Sequence, residues 1–269
     1  MMILIGSYGI PTVVYLGVLA VLGGIVGSFA AVAVYRIPRD ISIVIPRSHC
    51  IHCGAELRWY ELFPVLSWFL QLGRCRSCRS VIGLEPLLIE LFEGGLLVLV
   101  GWYAPSWYSF VHTALFLTLL FIISIIDFQH KIIPDQLSLG GVAMGVALTF
   151  LAQASLSTYD SISGAMFGYG LFWFVAWIYE RVRGREGLGG GDGKLLAMIG
   201  AFLGWQSIVP VVILSSLVGT VIGVGLAIRS GQPVSKLVLP YAPFLSIAAF
   251  LYRVVGNQLV QQYLDFVGW

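Results

Sequence analysis

The sequence predicts an all-α polytopic membrane protein with about eight transmembrane helices and one small cysteine-bearing insert. Of the 269 residues, 58% are hydrophobic and only 10% are charged, whereas a soluble domain carries about 25% charged residues. The mean hydropathy is +0.92, and the apolar residues are concentrated in long runs, which is typical of segments that cross a bilayer. The formal net charge of +2 is too small to indicate a nucleic-acid partner.

Eight runs approach the length of about 20 apolar residues that a transmembrane helix needs. No basic segment precedes the first run, so we expect Tyr15–Val34 to be a retained span and not a cleaved signal peptide. The sixth run, Lys194–Trp205, spans only about 18 Å as a helix against a hydrocarbon core of about 30 Å, so it must tilt, continue or sit in thinned lipid. The eight candidates cover approximately 11–35, 87–103, 107–126, 133–153, 161–180, 194–205, 207–228 and 238–256.

The basic residues predict the orientation, because cytoplasmic loops of membrane proteins are rich in Lys and Arg. With the N-terminus outside and eight crossings, 14 of the 15 basic residues lie inside and only Arg253 lies outside. If the sixth run did not cross, Arg229 and Lys236 would move outside, so the count supports the crossing. The segment Asn257–Trp269 is then expected to be a short amphipathic end on the outer face.

The composition divides the chain into three predicted parts. The insert carries all four cysteines and is too small to bury a large core by itself. The parts are a first transmembrane helix over 1–36, a cytoplasmic insert over 37–86, and a membrane-embedded domain over 87–269.

Two Cys-x-x-Cys pairs in the insert indicate a tetrahedral zinc site, with a structural role because four protein ligands close it. Gly54 permits the tight turn after the first pair. Two disulfides are the alternative, but a cytoplasmic loop stays reduced. His49 and His52 are further candidate ligands. The predicted ligands are Cys50, Cys53, Cys75 and Cys78.

Two acidic residues end strongly apolar segments, where a carboxylate is costly and commonly functional. Asp127 follows the run 121–126, and Asp192 lies within the glycine-rich stretch Gly189–Lys194. Two neighbouring carboxyl groups that share one proton supply both the base and the acid that peptide hydrolysis requires. Asp135 competes with Asp127, but it follows Pro134 in the first turn of a predicted helix, where an acid is stabilising without any chemistry.

Each acid also has a structural interpretation. Asp127 can pair with Lys131 one helical turn later, and Asp192 can simply favour a helix N-terminus. A phosphate-binding loop is a poor match, since no strand precedes the glycines and no Gly-Lys-Ser/Thr follows them. We expect Gly189 and Gly191 to let an extended peptide approach closely, while Lys194 either tunes the acid pair or contacts a lipid phosphate.

On these residues the chain resembles the type IV prepilin peptidases, the bifunctional leader peptidases and N-methyltransferases of pilus and type II secretion systems. The resemblance follows the order and spacing of the motifs over nearly the whole chain. The matching stretches are Gly27-Ser28-Phe29 with Val34–Pro38, Pro46–Cys50 with Cys53-Gly54, Trp59–Glu61 with Pro64–Trp68, Gly73–Cys78, Pro86–Glu90, Asp127 with Ile133–Asp135, and Gly189–Leu196.

The resemblance implies an aspartic peptidase of the Gly-x-Gly-Asp class in the bacterial inner membrane, with Asp127 and Asp192 catalytic. The implied partners are membrane lipid and a prepilin or pseudopilin. The substrate would be cleaved at the cytoplasmic face, after the glycine that ends a short basic leader. The family then methylates the new N-terminus with S-adenosylmethionine, and the cysteine-bearing insert is associated with this second activity.

Three departures from the family pattern lie in the part linked to methylation, namely Ala31, Ile45 and the stretch 84–86. They leave open a peptidase that has lost methylation. Glu90 and Glu93 share a helix face, so they can hold the new amine or S-adenosylmethionine, or they are simply acids at an interfacial helix start. A proton-coupled transporter that uses intramembrane carboxylates is the alternative from another class.

Overall fold

The computed structural model describes residues 11–151, 155–184, 189–231 and 239–256, and it confirms the predicted all-α class. Within these ranges the regular structure is helical, with isolated bridges but no extended strand. The predicted end segment Asn257–Trp269 and the basic residue Lys236 lie outside the described residues.

Each predicted run corresponds to a helix, and short 3₁₀ turns at Ile37–Arg39, Trp59–Leu62 and Trp205–Ser207 flank or connect some of them. Pro86 lies in the first turn of its helix, where its missing N–H costs nothing. The helices are α1 (Thr12–Arg36), α2 (Leu66–Leu70), α3 (Glu85–Tyr103), α4 (Trp107–His130), α5 (Asp135–Leu148), α6 (Thr158–Arg183), α7 (Gly190–Leu203), α8 (Ile208–Ser230) and α9 (Ala242–Leu251).

Five of the described helical segments have the length and composition to cross a membrane, where the sequence predicted about eight crossings. The remaining predicted spans correspond to α5 and α7, of 14 residues each, and to α9, of 10 residues. A 14-residue helix spans about 21 Å, less than the hydrocarbon core. The five segments are Thr12–Arg39, Glu85–Tyr103, Trp107–His130, Thr158–Val182 and Trp205–Ser230.

The chain forms two compact units, Met1–Thr118 and Leu119–Trp269. In the first unit, α1 and α3 pack closely through glycines. A Cβ atom on Gly27 would lie 2.6 Å from the Cα atom of Glu90, and one on Gly23 would lie 2.5 Å from the carbonyl oxygen of Glu93. Only glycine fits such an approach.

In the second unit, α7 is the central helix. Its apolar residues 195–199 are nearly all fully buried, which explains why a short helix is so hydrophobic. It meets α6 where Gly200 and Gly164 face each other, because a Cβ atom on Gly200 would lie 2.1 Å from the carbonyl oxygen of Gly164. It meets α5 at Gly141, which contacts Met198. These contacts fix the helix that carries Asp192.

Candidate active site and cysteine cluster

Asp127 lies in the last turns of α4 and is nearly buried, with 5% of its surface exposed. Its carboxylate oxygen Oδ2 accepts a hydrogen bond from the backbone N–H of Ala242 at 2.9 Å, and the backbone of Tyr241 also hydrogen-bonds this carboxylate. The backbone N–H of Lys131 donates to the carbonyl oxygen of Asp127 and not to its side chain. The Asp127 carboxylate is therefore bound by main-chain groups at the start of α9.

Asp192 lies in the first turn of α7, outside the five candidate spans. Burial and the negative charge of Asp127 together raise the pKa of the Asp192 carboxyl group to about 7. Burial is the larger of the two causes. A neighbouring like charge disfavours ionisation of a second carboxyl group. The charge of Asp127 thus acts on Asp192 within the second unit, and these are the two acids that the sequence singled out.

The glycines around Asp192 fall into two groups. A Cβ atom on Gly191 would lie 2.9 Å from the Cβ atom of Ile133, and one on Gly193 would lie 3.1 Å from the ring of Phe172, so these two positions pack against neighbouring segments. Gly190 has open space around it, and the nearest atom to a Cβ on Gly189 would be Oδ2 of Asp192, at 3.7 Å. Gly191 thus packs against Ile133 of the chain itself, while Gly189 leaves open space beside Asp192, and the approach of an extended peptide stays a prediction.

Lys194 pairs with Asp135, a partnership that the sequence did not indicate. Its ammonium Nζ lies 2.5 Å from Oδ1 of Asp135, and the two side chains are 29% and 59% exposed. Asp135 occupies the first turn of α5, as predicted, with Pro134 as the N-cap residue. The pair joins the start of α5 to the start of α7.

The four cysteines of the insert come together. Their Sγ atoms all lie within 4.8 Å of one another, and those of Cys50 and Cys78 are 3.9 Å apart. A tetrahedron of sulfurs at about 2.3 Å from a zinc ion has edges of about 3.8 Å. All four cysteines are free thiols, so the alternative of two disulfides is wrong for this structure. The cluster has the chemistry and spacing of a metal site.

The two cysteine pairs have the same backbone geometry. Cys50 N–H donates to the carbonyl of Ala55, and Cys75 N–H donates to that of Ser80. The fourth residue after each first cysteine has a positive φ, at Gly54 (70°) and at Arg79 (60°). The sequence identified this turn at Gly54, whereas an arginine provides no such signal.

Arg36 at the end of α1 supports the chain that leads to the first cysteine pair. Only 6% of its surface is exposed, and its guanidinium donates hydrogen bonds to the carbonyl oxygens of Ser42, Pro46 and Arg47, at 2.8–3.2 Å. Guanidinium groups suit this role because they present several donors in a rigid plane. Sequence reasoning identified Arg36 only as part of a motif and assigned it no contacts.

Glu90 and Glu93 share one face of α3, as their spacing predicts, and that face packs against α1. Oε2 of Glu90 accepts from the backbone N–H of Val65 at 2.7 Å, and Ser28 also bonds this carboxylate. Glu93 is fully buried, with Oε2 accepting from Thr118 Oγ1 at 3.0 Å. Its other oxygen, Oε1, has no hydrogen-bond partner among the described residues.

Val65 has a backbone conformation that its type rarely adopts, with φ of 61° and ψ of −52°. The N–H of Leu66 points back to the carbonyl oxygen of Pro64 at 2.5 Å, so these residues form a γ-turn, which is strained. The bond from the Val65 N–H to Glu90 helps to hold this turn. Glu90 therefore has a structural task in the insert.

The fold and the site define a helical membrane protein with two electrostatically interacting aspartates in one unit and a four-cysteine cluster in the other. The family "Bacterial Peptidase A24 N-terminal domain" matches residues 21–104, and the "Type IV leader peptidase family" matches residues 114–224. The chain belongs to the type IV leader peptidase family, and it is an enzyme. This membership decides between a peptidase and a transporter in favour of the peptidase.

Curated relatives match most of the chain. A prepilin leader peptidase/N-methyltransferase of Pseudomonas aeruginosa is 35% identical, with 92% of this chain and 93% of the relative covered. One of the same name from Aeromonas hydrophila is 34% identical, with 96% of both chains covered. A third, from Myxococcus xanthus, is 37% identical over 80% of this chain and 64% of its own length. No solved structure matches the chain.

Proposed function

We propose that this enzyme removes the short basic leader from prepilins or pseudopilins, with Asp127 and Asp192 as the catalytic pair. The observation that carries the proposal is the electrostatic coupling between the two carboxyl groups, since the charge of Asp127 helps to raise the pKa of Asp192. Two coupled carboxyl groups that hold one proton between them are what acid–base hydrolysis of a peptide needs. The names of the relatives supply the substrate class.

In this mechanism one carboxylate takes a proton from water, and the water attacks the scissile carbonyl. The other carboxyl group donates its proton to the leaving amine. Asp127 is the better candidate for the ionised partner, because it accepts main-chain hydrogen bonds. Asp192, with its pKa of about 7, is the better candidate for the protonated partner.

The open space at Gly189 and Gly190 gives an extended peptide a route to Asp192. Side chains at these positions would occupy the space beside the carboxyl group. The predicted orientation puts both acids at the cytoplasmic face of the inner membrane, where the basic leader of the substrate would lie. We propose that the carboxyl pair and these two glycines form the peptidase site.

We propose further that the enzyme methylates the new N-terminus, with S-adenosylmethionine as the donor and the insert over 37–86 as a required part. The N-methyltransferase in the relatives' names supports this activity. Four thiolates at the observed spacing fit a tetrahedral zinc ion, and a closed four-sulfur zinc site has a structural role. A small insert without a large core gains its stability from such a metal.

Glu93 is our candidate for holding a cationic group in the methyl-transfer step, either the new amine or the sulfonium of the donor. It is buried, and one of its oxygens has no partner in the described part of the chain. A buried carboxylate oxygen without a donor is costly, so a cation would be bound favourably. Glu90 is expected to act beside it mainly by holding Val65.

Co-expression with a type IV prepilin, followed by intact-mass analysis of the product, tests both activities. We expect loss of the leader and addition of one methyl group with the unaltered enzyme. Asp127→Ala and Asp192→Ala should each insert in the membrane but leave the leader in place. Glu180→Ala, which alters an exposed acid of the second unit, is the control and should process normally.

The products separate the remaining alternatives. Leader removal without methylation, at saturating S-adenosylmethionine, would favour a peptidase that has lost its second activity. Leader removal by Asp192→Ala would contradict the catalytic pair.

A further inference from the structure

The start of α9 lies directly against Asp127. The amide of Ala242, the first residue of the helix, donates to Oδ2 at 2.9 Å, and Ala242 is fully buried. The first N–H groups of a helix have no partners within the helix, and they carry its partial positive charge. Donors of this kind bind a carboxylate strongly and in a fixed direction. The position of α9 therefore sets the orientation of the Asp127 side chain.

One face of α8 contacts the start of α9. The hydroxyl of Tyr241 lies 2.8 Å from Ser215 Oγ and 3.2 Å from Ser216 Oγ. One turn further along α8, a Cβ atom on Gly219 would lie 3.1 Å from the ring of Phe244. Residues four apart lie on the same face of a helix. The serines and the glycine thus form one docking face for the start of α9.

Tyr241 links these two sets of contacts. Its side chain reaches the serines of α8, while its backbone and that of the next residue reach the carboxylate of Asp127. A hydroxyl held by two serines restrains the residue that carries it. The amide that follows Tyr241 in the chain is restrained as a consequence.

We propose that Tyr241 is a positioning residue of the peptidase. It does not touch the substrate. Its hydroxyl anchors the start of α9 on α8, and the amide of Ala242 is thereby held where it orients Asp127. The proposal rests on the proposed role of Asp127 as one of the catalytic acids.

The test uses the purified full-length enzyme and a prepilin substrate. Tyr241→Phe should lower kcat for leader cleavage by about 3- to 10-fold, which is the range of one net hydrogen bond. KM should stay within about twofold, because the substrate contacts are unchanged. Methyl transfer to pilin that has already been cleaved should keep its rate.

A mutant cycle distinguishes positioning from a general loss of structure. The variant with Ser215→Ala and Ser216→Ala should lose as much kcat as Tyr241→Phe, and combining all three changes should cost no more, because all remove the same contact. Ser230→Ala, an exposed position at the far end of α8 whose hydroxyl bonds the carbonyl oxygen of Ala227, is the control and should cleave at the normal rate.

An unchanged kcat in Tyr241→Phe would overturn the proposal, and so would additive losses in the cycle. An equal fall in cleavage and methyl transfer would also overturn it, since that result indicates a general defect. Asp127→Asn separates the hypothesis of a catalytic acid pair from the hypothesis that Tyr241 positions Asp127. If it cleaves normally, the catalytic pair itself is wrong, whereas an inactive Asp127→Asn beside a normal Tyr241→Phe refutes only the positioning role.

Discussion

Nζ of Lys194 lies 2.5 Å from Oδ1 of Asp135. Lys194 is two residues beyond Asp192 on α7, and Asp135 opens α5. This ion pair therefore fixes the start of α7, and with it the acid whose pKa is raised to about 7. The Asp135–Lys194 pair gives a role to two residues that have no direct part in the proposed chemistry.

Asp135→Asn should reduce leader cleavage by about 2- to 5-fold, because a partly exposed ion pair contributes up to about 1 kcal/mol. Exchanging the two charges, with Asp135→Lys and Lys194→Asp together, should recover part of the rate. Initial rates with a prepilin substrate measure both effects. A full loss of activity in Asp135→Asn would instead make this residue a catalytic acid.

The four cysteines predict a division between the two activities. Cys75→Ser should lose bound zinc and methyl transfer, because Cys75 is the buried member of a cluster whose sulfurs all lie within 4.8 Å. Leader cleavage should remain, since the paired acids lie in the other unit. Elemental analysis and separate assays of the two activities measure this. The control is Ser77→Ala, at an exposed position between Cys75 and Cys78, which should keep the metal and both activities.

The close contact between α6 and α7 predicts that alanine is destabilising at one glycine of α6 and harmless at another. A Cβ atom on Gly164 would lie 2.3 Å from the carbonyl oxygen of Gly200, whereas Gly170 on the same helix has open space. Overpacking of a tight contact costs about 1–3 kcal/mol, so Gly164→Ala should lower the Tm and slow cleavage.

Gly170→Ala should leave the Tm unchanged or raise it slightly, because alanine stabilises a helix relative to glycine. Thermal unfolding in detergent compares the two variants. Equal changes in Tm for Gly164→Ala and Gly170→Ala would show that the close contact between Gly164 and Gly200 does not stabilise the packing of α6 against α7.

The raised pKa of Asp192 predicts the alkaline limit of cleavage. The proposed active form has Asp192 protonated, and its pKa of about 7 means that the proton is lost as the pH rises through that value. The general acid disappears with it, so kcat/KM should fall on the alkaline side of about pH 7. A pH profile of kcat/KM checks this, and a rate that rises steadily through pH 7–9 would contradict the assignment.

The sequence predicted the helical membrane class well, because long apolar runs with few charges are characteristic of segments that cross a bilayer. It also identified the four cysteines and both acids, since their residue types and spacing carry chemical meaning. It predicted about eight spans, whereas α5, α7 and α9 are short. Apolar composition alone does not distinguish a helix that faces lipid from one such as α7, which is buried by its neighbours.

The contacts around the acids were outside the reach of sequence patterns. The amide of Ala242 bonds Asp127 across 115 positions of the chain. Pro243 in the first turn of an apolar helix does mark an N-terminus with free amides, but nothing in the sequence says which acid they meet. The same holds for Lys194, whose partner depends on how α5 and α7 pack.

The most direct test of the central claim compares Asp127→Asn, Asp192→Asn and the double variant in one quantitative cleavage assay. Two groups that act as a unit are strongly non-additive. We therefore predict that each single variant loses as much kcat as the double variant, with all three proteins equally abundant in the membrane. Multiplicative losses, or substantial cleavage in either single variant, would contradict the proposal that Asp127 and Asp192 act as a catalytic pair.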